Sequence, residues 1–400
     1  MSTSSPDGEG IRPARSLGLG ECLLRRALRG FEAGSLTVNL PSGERVVHRG
    51  VRPGREAAVT LHRWRALRRL AIGGDLGFAE AYIDGDWSSR DLTTLIELAA
   101  ENAASLDPKI AAPLAVRALS RLRHLLRPNS KAGSRRNIAF HYDLGNEFYR
   151  RWLDPGMIYS SALYDRPTRS LAEAQETKLA RVVDLLELQG GEDVLEIGCG
   201  WGTLARRIAR SGAKVTAITL STEQLAFARA LAAAEQGPEF RLQDYRDVDG
   251  SFDRVVSIEM LEAVGERYWP DYFAALRARL RRGGTAVLQV ITIDEARFDA
   301  YRNGADFIQS YIFPGGMLPT KSILASEARR AGFEIATVQT FGSSYALTLA
   351  AWRARFHAAW PEVRPLGFTP EFRRLWEYYF SYCEAGFRTG AIDVGLYALR

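Results

Sequence analysis

VLEIGCGWGTLARRIAR, residues 194–210, opens as an apolar strand, turns through three alternating glycines and closes as a helix. The strand ends at Glu196 and Ile197, and Gly198, Gly200 and Gly202 carry the chain round into the helix. Such a turn presents a ligand to a strand's carboxyl end and a helix N-terminus together, and glycines lacking Cβ let the backbone come close to it. The spacing argues against two common ligands. A nucleoside triphosphate loop needs Gly-Lys-Ser/Thr, and Thr203 has no preceding lysine; a dinucleotide fingerprint needs G-x-G-x-x-G, and the third glycine here comes one residue early.

Strand and helix patterns alternate on both sides of this turn. Helix AEAQETKLARVVDLLEL precedes it; strand AKVTAITL, helix EQLAFARALAAA, strands EFRLQD and SFDRVVSIEM, helix YWPDYFAALRARL and strand GTAVLQVITI follow. An insertion at 293–320 leads to helix KSILASEARRA and strand EIATVQTFG, then to a helical end and a last strand-like IDVGLYALR. Repeated crossovers of this kind predict an α/β fold, a parallel sheet covered by helices on both faces.

Upstream, residues 17–103 mix a helix (ECLLRRALRGF), alternating strands (SLTVNLPSGERVVHRG and AAVTLHRWRALRRLAIGG) and the loop-rich FAEAYIDGDWSSRDLTTLIELAAEN, which predicts a smaller α+β domain. Residues 1–16 read as a loose polar tail without a signal-peptide core. The connector 104–136 spaces leucines helically beside Arg117, Arg121, Arg123 and Arg127, with no acid between Lys109 and Arg136. Two readings stand for it: a basic amphipathic helix on an anionic membrane, or a linker helix with its arginines in water.

The 400 residues carry a net charge of +6, three scattered cysteines and five histidines. None of the histidines is spaced with a cysteine or an acid as metal ligands are, so no metal site is expected. An odd number of dispersed cysteines suits a reducing cytoplasm, and no apolar run is long enough to span a bilayer. The expected location is therefore cytoplasmic, with peripheral membrane contact.

An acid directly before G-x-G-x-G on the first strand of an α/β unit resembles motif I of class I S-adenosylmethionine (SAM) methyltransferases. The resemblance implies a Rossmann-like, mostly parallel seven-stranded sheet in a catalytic domain 137–400, with the smaller N-terminal domain ahead of it. Glu196, Gly198, Gly200 and Gly202 would then hold SAM. Thr219 and Gln224 in TLSTEQ lie where the ribose would be, and Gln243, Asp244 and Tyr245 in LQDYRD suit an adenine.

The stretches HYDLGNEFYRRWLDPGMIYSSALY (141–164), FDRVVSIEMLEAVG (252–265), YIFPGGMLP (311–319) and FGSSYALTLAAW (341–352) are more specific. With GFAEAYIDGDW and the closing EAGFRTGAIDV, they resemble the cyclopropane-fatty-acyl-phospholipid synthase family. That family transfers a SAM methyl to a cis double bond of a phospholipid acyl chain, with a first domain that helps hold the lipid. The resemblance adds Tyr159 and Ser160 to the SAM site. An alkene is a weak nucleophile, so rate must come from aligning it in a dry pocket, and aromatic faces can stabilise the resulting cation.

The family removes the last proton with bicarbonate. Position by position, the matching bicarbonate residues are Ser161, Glu262, Gln289, Ile291 and Tyr345. Ser161 stands where the family has Cys, Gln289 where it has His, and Ala263 where a His usually follows the glutamate. Gln offers no positive charge to hold an anion, which argues against bicarbonate bound in the usual way; a buried Glu262 partnered by Tyr345 is the expected proton acceptor.

A displaced base redirects the product from a cyclopropane to a methyl- or methylene-branched chain. The leading expectation is thus a SAM-dependent C-methyltransferase of unsaturated phospholipid acyl chains, with a partner oxidoreductase and a homodimer as further expectations. The alternatives are a cyclopropane synthase proper, an N-methyltransferase of a small amine, or a non-catalytic lipid- or nucleic-acid-binding protein. No recognisable nucleic-acid module supports the last.

Overall fold

The computed structural model describes residues 19–110, 144–232, 237–304 and 306–400. The central sheet has seven strands: β5 (Asp193–Ile197), β6 (Lys214–Thr219), β7 (Glu239–Leu242), β8 (Phe252–Ile258), β9 (Leu280–Ile293), β10 (Ile335–Thr340) and β11 (Ile392–Leu399). Their order is β10-β11-β9-β8-β5-β6-β7. β5 pairs in parallel with β6 and β8, β6 with β7, and β8 with β9, whereas β11 runs antiparallel to both β9 and β10.

Period-two alternation explains why this sheet is buried on both faces. Val194, Val256, Val287 and Leu396 pack into one core. Their neighbours Leu195, Val255, Leu288 and Tyr397 pack into the other. On the first side lie the helices Leu171–Leu186, Thr203–Ala209, Gly342–Val363 and Pro370–Arg388; the helices Trp269–Arg279 and Lys321–Arg330 lie on the second. Ser170 starts the first of these helices with a capping box, its side chain accepting from Glu173 N–H while Glu173 accepts in return.

The chain moves outward from β5 through β6 to β7, then returns to place β8 and β9 on the other side. The strand order therefore reverses between β5 and β8, and an α/β sheet opens a crevice at the carboxyl ends of its strands at that place.

The amino-terminal part forms its own sheet, order β2-β1-β3-β4, from β1 (Ala33–Asn39), β2 (Arg45–Arg49), β3 (Arg52–Leu61) and β4 (Trp87–Ser88). Here the structure departs from the alternating-strand reading: RALRRLAIGGDLGFAEAYI is the helix Arg65–Ile83, broken at Gly74 (φ 61°, ψ −143°). The loop-rich stretch likewise contains the helix Leu92–Glu101, capped by Asp91. Of the connector, only the helix Ala103–Ile110 is described; the arginine-rich part at 117–127 and Tyr142 lie outside the described residues, as does the tail.

Candidate active site

A single cavity of about 1230 Å³ opens at the reversal of strand order. Its walls come from the glycine turn, the ends of β6 and β8, the insertion after β9, the C-terminal helices and the helices Arg65–Ile83 and Leu92–Glu101.

One region of the wall is the glycine turn itself. Gly198, Gly200, Thr203, Thr219, Gln224, Gln243 and Tyr245 line it, as do Tyr159 and Ser160. Thr219 donates to Gln224 Oε1 at 2.9 Å, so the two ribose candidates brace each other. Thr203 Oγ1 donates to the Gly156 carbonyl at 2.6 Å and ties the turn to the 156–160 segment.

Glu196, next to last in β5, has its side chain buried, and its Oε2 has no protein hydrogen-bond partner. Burial pushes its carboxyl up to about 8, against the pull of the Lys178 ammonium. An orphaned buried carboxylate oxygen beside a glycine turn suits the ammonium of an amino acid, and the residues present fit SAM.

Two of the cofactor candidates stand behind this wall. Asp244 is not among the lining residues, and its carboxylate accepts from Arg246 Nε at 2.8 Å and from a terminal guanidinium nitrogen at 2.7 Å. Gly202 serves packing: a Cβ there would lie 2.7 Å from the Phe240 ring and 3.1 Å from Ala228.

A second region gathers the candidate catalytic residues, and its centre is one the sequence reading passed over. Glu259 accepts from Ser161 N–H at 2.8 Å and Gln289 Nε2 at 2.6 Å on one oxygen, and from the Tyr345 hydroxyl at 2.7 Å on the other. The Tyr345 hydroxyl therefore pairs with Glu259, whereas the sequence reading paired it with Glu262.

Glu262 sits one short turn further on, in the helix Leu261–Val264. Its Oε1 accepts from Ile291 N–H at 2.5 Å and its Oε2 is buried without a partner. Burial first, and then the charge of Glu259, push its carboxyl up to about 8. Glu259, Glu262, Ile291 and Tyr345 line the cavity; Ser161 and Gln289 do not, and reach it only through Glu259.

Lys178 also escaped the sequence reading, because it lies inside an amphipathic helix. It is fully buried, donates to Ser160 Oγ at 2.7 Å, and feels the charges of Glu259, Asp154 and Glu196. Burial lowers its ammonium to about 8. The sequence signal for Glu259 was present in SIEMLE, where two acids stand three apart at a strand's carboxyl end.

The rest of the wall has an apolar stretch, formed by Ile308, Phe313 and Met317 from the insertion, Leu349 and Tyr379 from the C-terminal helices, and Leu76 and Ile96 from the amino-terminal part, with Asp75, Asp294, Arg297 and Asp306 also on the lining. A π-helical turn, Ile308–Ile312, shapes the insertion here.

A glycine turn with an orphaned acid on the first strand, facing buried carboxylates across a strand reversal, defines a class I SAM-dependent methyltransferase, and the enzyme is of the cyclopropane-fatty-acyl-phospholipid synthase type. Residues 129–396 match the model of the mycolic acid cyclopropane synthetase family, and the chain belongs to that family. It is 42% identical over 361 residues to the tuberculostearic acid methyltransferase UfaA1 of Mycobacterium tuberculosis, covering 86% of this chain and 83% of the relative. It is 35% identical over 330 residues to the cyclopropane-fatty-acyl-phospholipid synthase of Escherichia coli, covering 82% and 83%. The crystal structure of the mycolic acid cyclopropane synthase CmaA1 with SAH and CTAB superimposes with a TM-score of 0.62 at 31% identity, over 66% of this chain and 97% of that one.

Proposed function

We propose that the enzyme methylates the cis double bond of unsaturated phospholipid acyl chains and leaves a methyl- or methylene-branched chain. The observation that carries this reading is the single cavity that joins the glycine turn, the Glu259–Glu262 carboxylates and an apolar wall built from both parts of the chain. That combination suits a small polar cofactor beside a long apolar substrate.

SAM supplies an electrophilic methyl. The alkene π electrons form the new carbon–carbon bond as the sulfur–methyl bond breaks, leaving positive charge on the neighbouring chain carbon. Tyr159, Phe313, Tyr345 and Tyr379 line the cavity and offer ring faces to that charge. Loss of a proton from the added methyl closes a cyclopropane. Loss from a chain carbon, or hydride shift before loss, gives the branched products. Ser161 and Gln289, standing where the family has Cys and His, support the branched outcome, and a methylene branch becomes a methyl branch only with a separate reductase.

The amino-terminal part and the basic connector support a lipid surface as the place of action, and no described helix is long and apolar enough to cross a membrane. The test is mass spectrometry of acyl chains after incubation with methyl-deuterated SAM and monounsaturated phospholipid vesicles. A product keeping three deuteriums on a branch methyl, or two on a methylene that mild hydrogenation reduces, is expected. One keeping two and resisting mild hydrogenation would be a cyclopropane and would overturn the branched reading. A lipid without label would overturn the substrate and favour a soluble amine.

The role of Glu196 has its own signature. Its carboxyl, pushed up to about 8, must be ionised to meet the SAM ammonium. Below that pH, binding should release a proton, and affinity should rise by up to about tenfold per pH unit towards it. Calorimetry in buffers of different ionisation enthalpy measures the release. In Glu196→Gln the pH dependence should flatten; an unchanged slope would remove Glu196 from the ammonium site.

A further inference from the structure

We propose that Glu259 is the proton acceptor of the reaction, a carboxylate of the chain standing where typical members of the family hold bicarbonate. The inference rests on acyl-chain methylation as the activity.

Hydrogen-bond donors make the first argument. Ser161, Gln289 and Tyr345 belong to the set that the family resemblance assigned to bicarbonate. In this structure Ser161 N–H, Gln289 Nε2 and the Tyr345 hydroxyl all point to one carboxylate, at 2.8, 2.6 and 2.7 Å. Hydrogen-bonding capacity that would hold an external anion is engaged from within, and a second anion beside a buried carboxylate would be repelled at low dielectric. The residues present do not fit bicarbonate.

The backbone gives an independent argument. Glu259 has φ 49°, a left-handed conformation that non-glycine residues rarely adopt. Strain of this kind persists where the surroundings hold a side chain in place, and it clusters at functional sites. Here the peptide N–H donates to the Gln289 carbonyl at 2.8 Å, so β9 holds backbone and side chain of Glu259 together.

Charge division supports the choice of Glu259 over Glu262. Glu262 has one donor, Ile291 N–H, and a buried Oε2 without a partner. With its carboxyl pushed up to about 8, it keeps its own proton at neutral pH and cannot take another. Glu259 has three donors and the Lys178 ammonium nearby, which favour the ionised form, while burial raises its basicity. Two adjacent buried carboxyl groups do not both ionise, and the one with the donors carries the charge.

In the step itself, Glu259 takes a proton from a carbon next to the cationic centre. The C–H electron pair becomes the new C=C bond, the carboxylate becomes a carboxyl, and its proton passes to water when product leaves. Ser161 and Gln289 are positioning residues that fix the carboxylate.

Glu259→Gly tests this, since glycine suits the left-handed backbone and removal of the carboxylate frees the three donors. The full chain is assayed with SAM and monounsaturated phospholipid vesicles, in carbonate-depleted buffer and with added bicarbonate. Wild-type turnover should be the same in both. Glu259→Gly should lose about 10²–10⁴-fold without bicarbonate and recover at least about tenfold with it, while calorimetry finds SAM affinity within about threefold of wild type. Glu259→Gln, which keeps the side chain's size, should show the same loss without recovery. In parallel, line broadening of ¹³C-bicarbonate should appear with Glu259→Gly and not with the wild type, a readout that stands even if no lipid is methylated. Wild-type activity that collapses on bicarbonate removal, broadening with the wild type, or a glycine variant fully active without bicarbonate would overturn the proposal.

Discussion

Gly200→Val should abolish SAM binding, with affinity lowered at least about 100-fold, or about 2.7 kcal/mol, while the fold survives. Gly200 has φ 54°, and a Cβ built there meets no protein atom within 4 Å. It lines the cavity, so the added side chain occupies space that belongs to a ligand. The cost to folding is the left-handed backbone alone, about 1–2 kcal/mol for a residue with Cβ. Gly202 is the opposite case: its Cβ would collide with the Phe240 ring at 2.7 Å, so Gly202→Val should damage the packing of the helix Thr203–Ala209 and lower stability. Calorimetric titration with SAM, alongside thermal unfolding of both variants, separates the two effects. Unchanged SAM affinity in a folded Gly200→Val would show that the turn does not meet the cofactor.

The catalytic sheet was legible because its signals are local. The strands β5, β6, β8, β9 and β11 carry apolar runs, β7 (EFRL) and β10 (IATVQT) alternate apolar with polar residues, and the Glu196–Gly202 turn has a spacing that few ligands accept. The helix Arg65–Ile83 was misread as strand because Gly73 and Gly74 interrupt its pattern. The chain bends at Gly74 instead of ending there, and this keeps Gly73, Asp75 and Leu76 on the cavity wall.

The candidate catalytic residues were legible as a set and not as a network. Ser161, Gln289 and Tyr345 come from segments far apart in sequence, and what unites them is one carboxylate that only the fold brings between them. Lys178 was hidden for the opposite reason: a lysine in an amphipathic helix reads as a solvated face, and only packing reveals that it is fully buried among acids. The assignment of Asp244 to the adenine followed its position after β7, and could not anticipate that Arg246, two residues on, takes up its carboxylate.

Glu384→Ala should destabilise the protein by about 1–3 kcal/mol, the cost of leaving the buried Thr93 hydroxyl and the partly exposed guanidinium groups of Arg353 and Arg388 without their acceptor. Glu384 lies on the helix Pro370–Arg388 with no exposed surface. It accepts from Arg353 at 2.9 Å and from Thr93 at 3.1 Å, and forms an ion pair with Arg388 at 2.5 Å. Arg388 lies 3.7 Å from Glu97, which accepts in turn from Arg55 at 2.6 Å, so the network crosses from the catalytic part to β3 of the smaller sheet. Tryptophan fluorescence during urea unfolding measures the loss, and Glu384→Gln, which keeps an acceptor but not the charge, should lose less. An unchanged midpoint in Glu384→Ala would mean that the network contributes nothing. The effect should reach the substrate as well, because Thr93 and Ile96 share one helix: Thr93 bonds Glu384, and Ile96 lines the cavity. Loosening that helix removes part of the apolar wall while leaving the glycine turn intact. KM for the lipid should therefore rise several-fold more than KM for SAM, which a loss of stability spread evenly over the molecule would not produce.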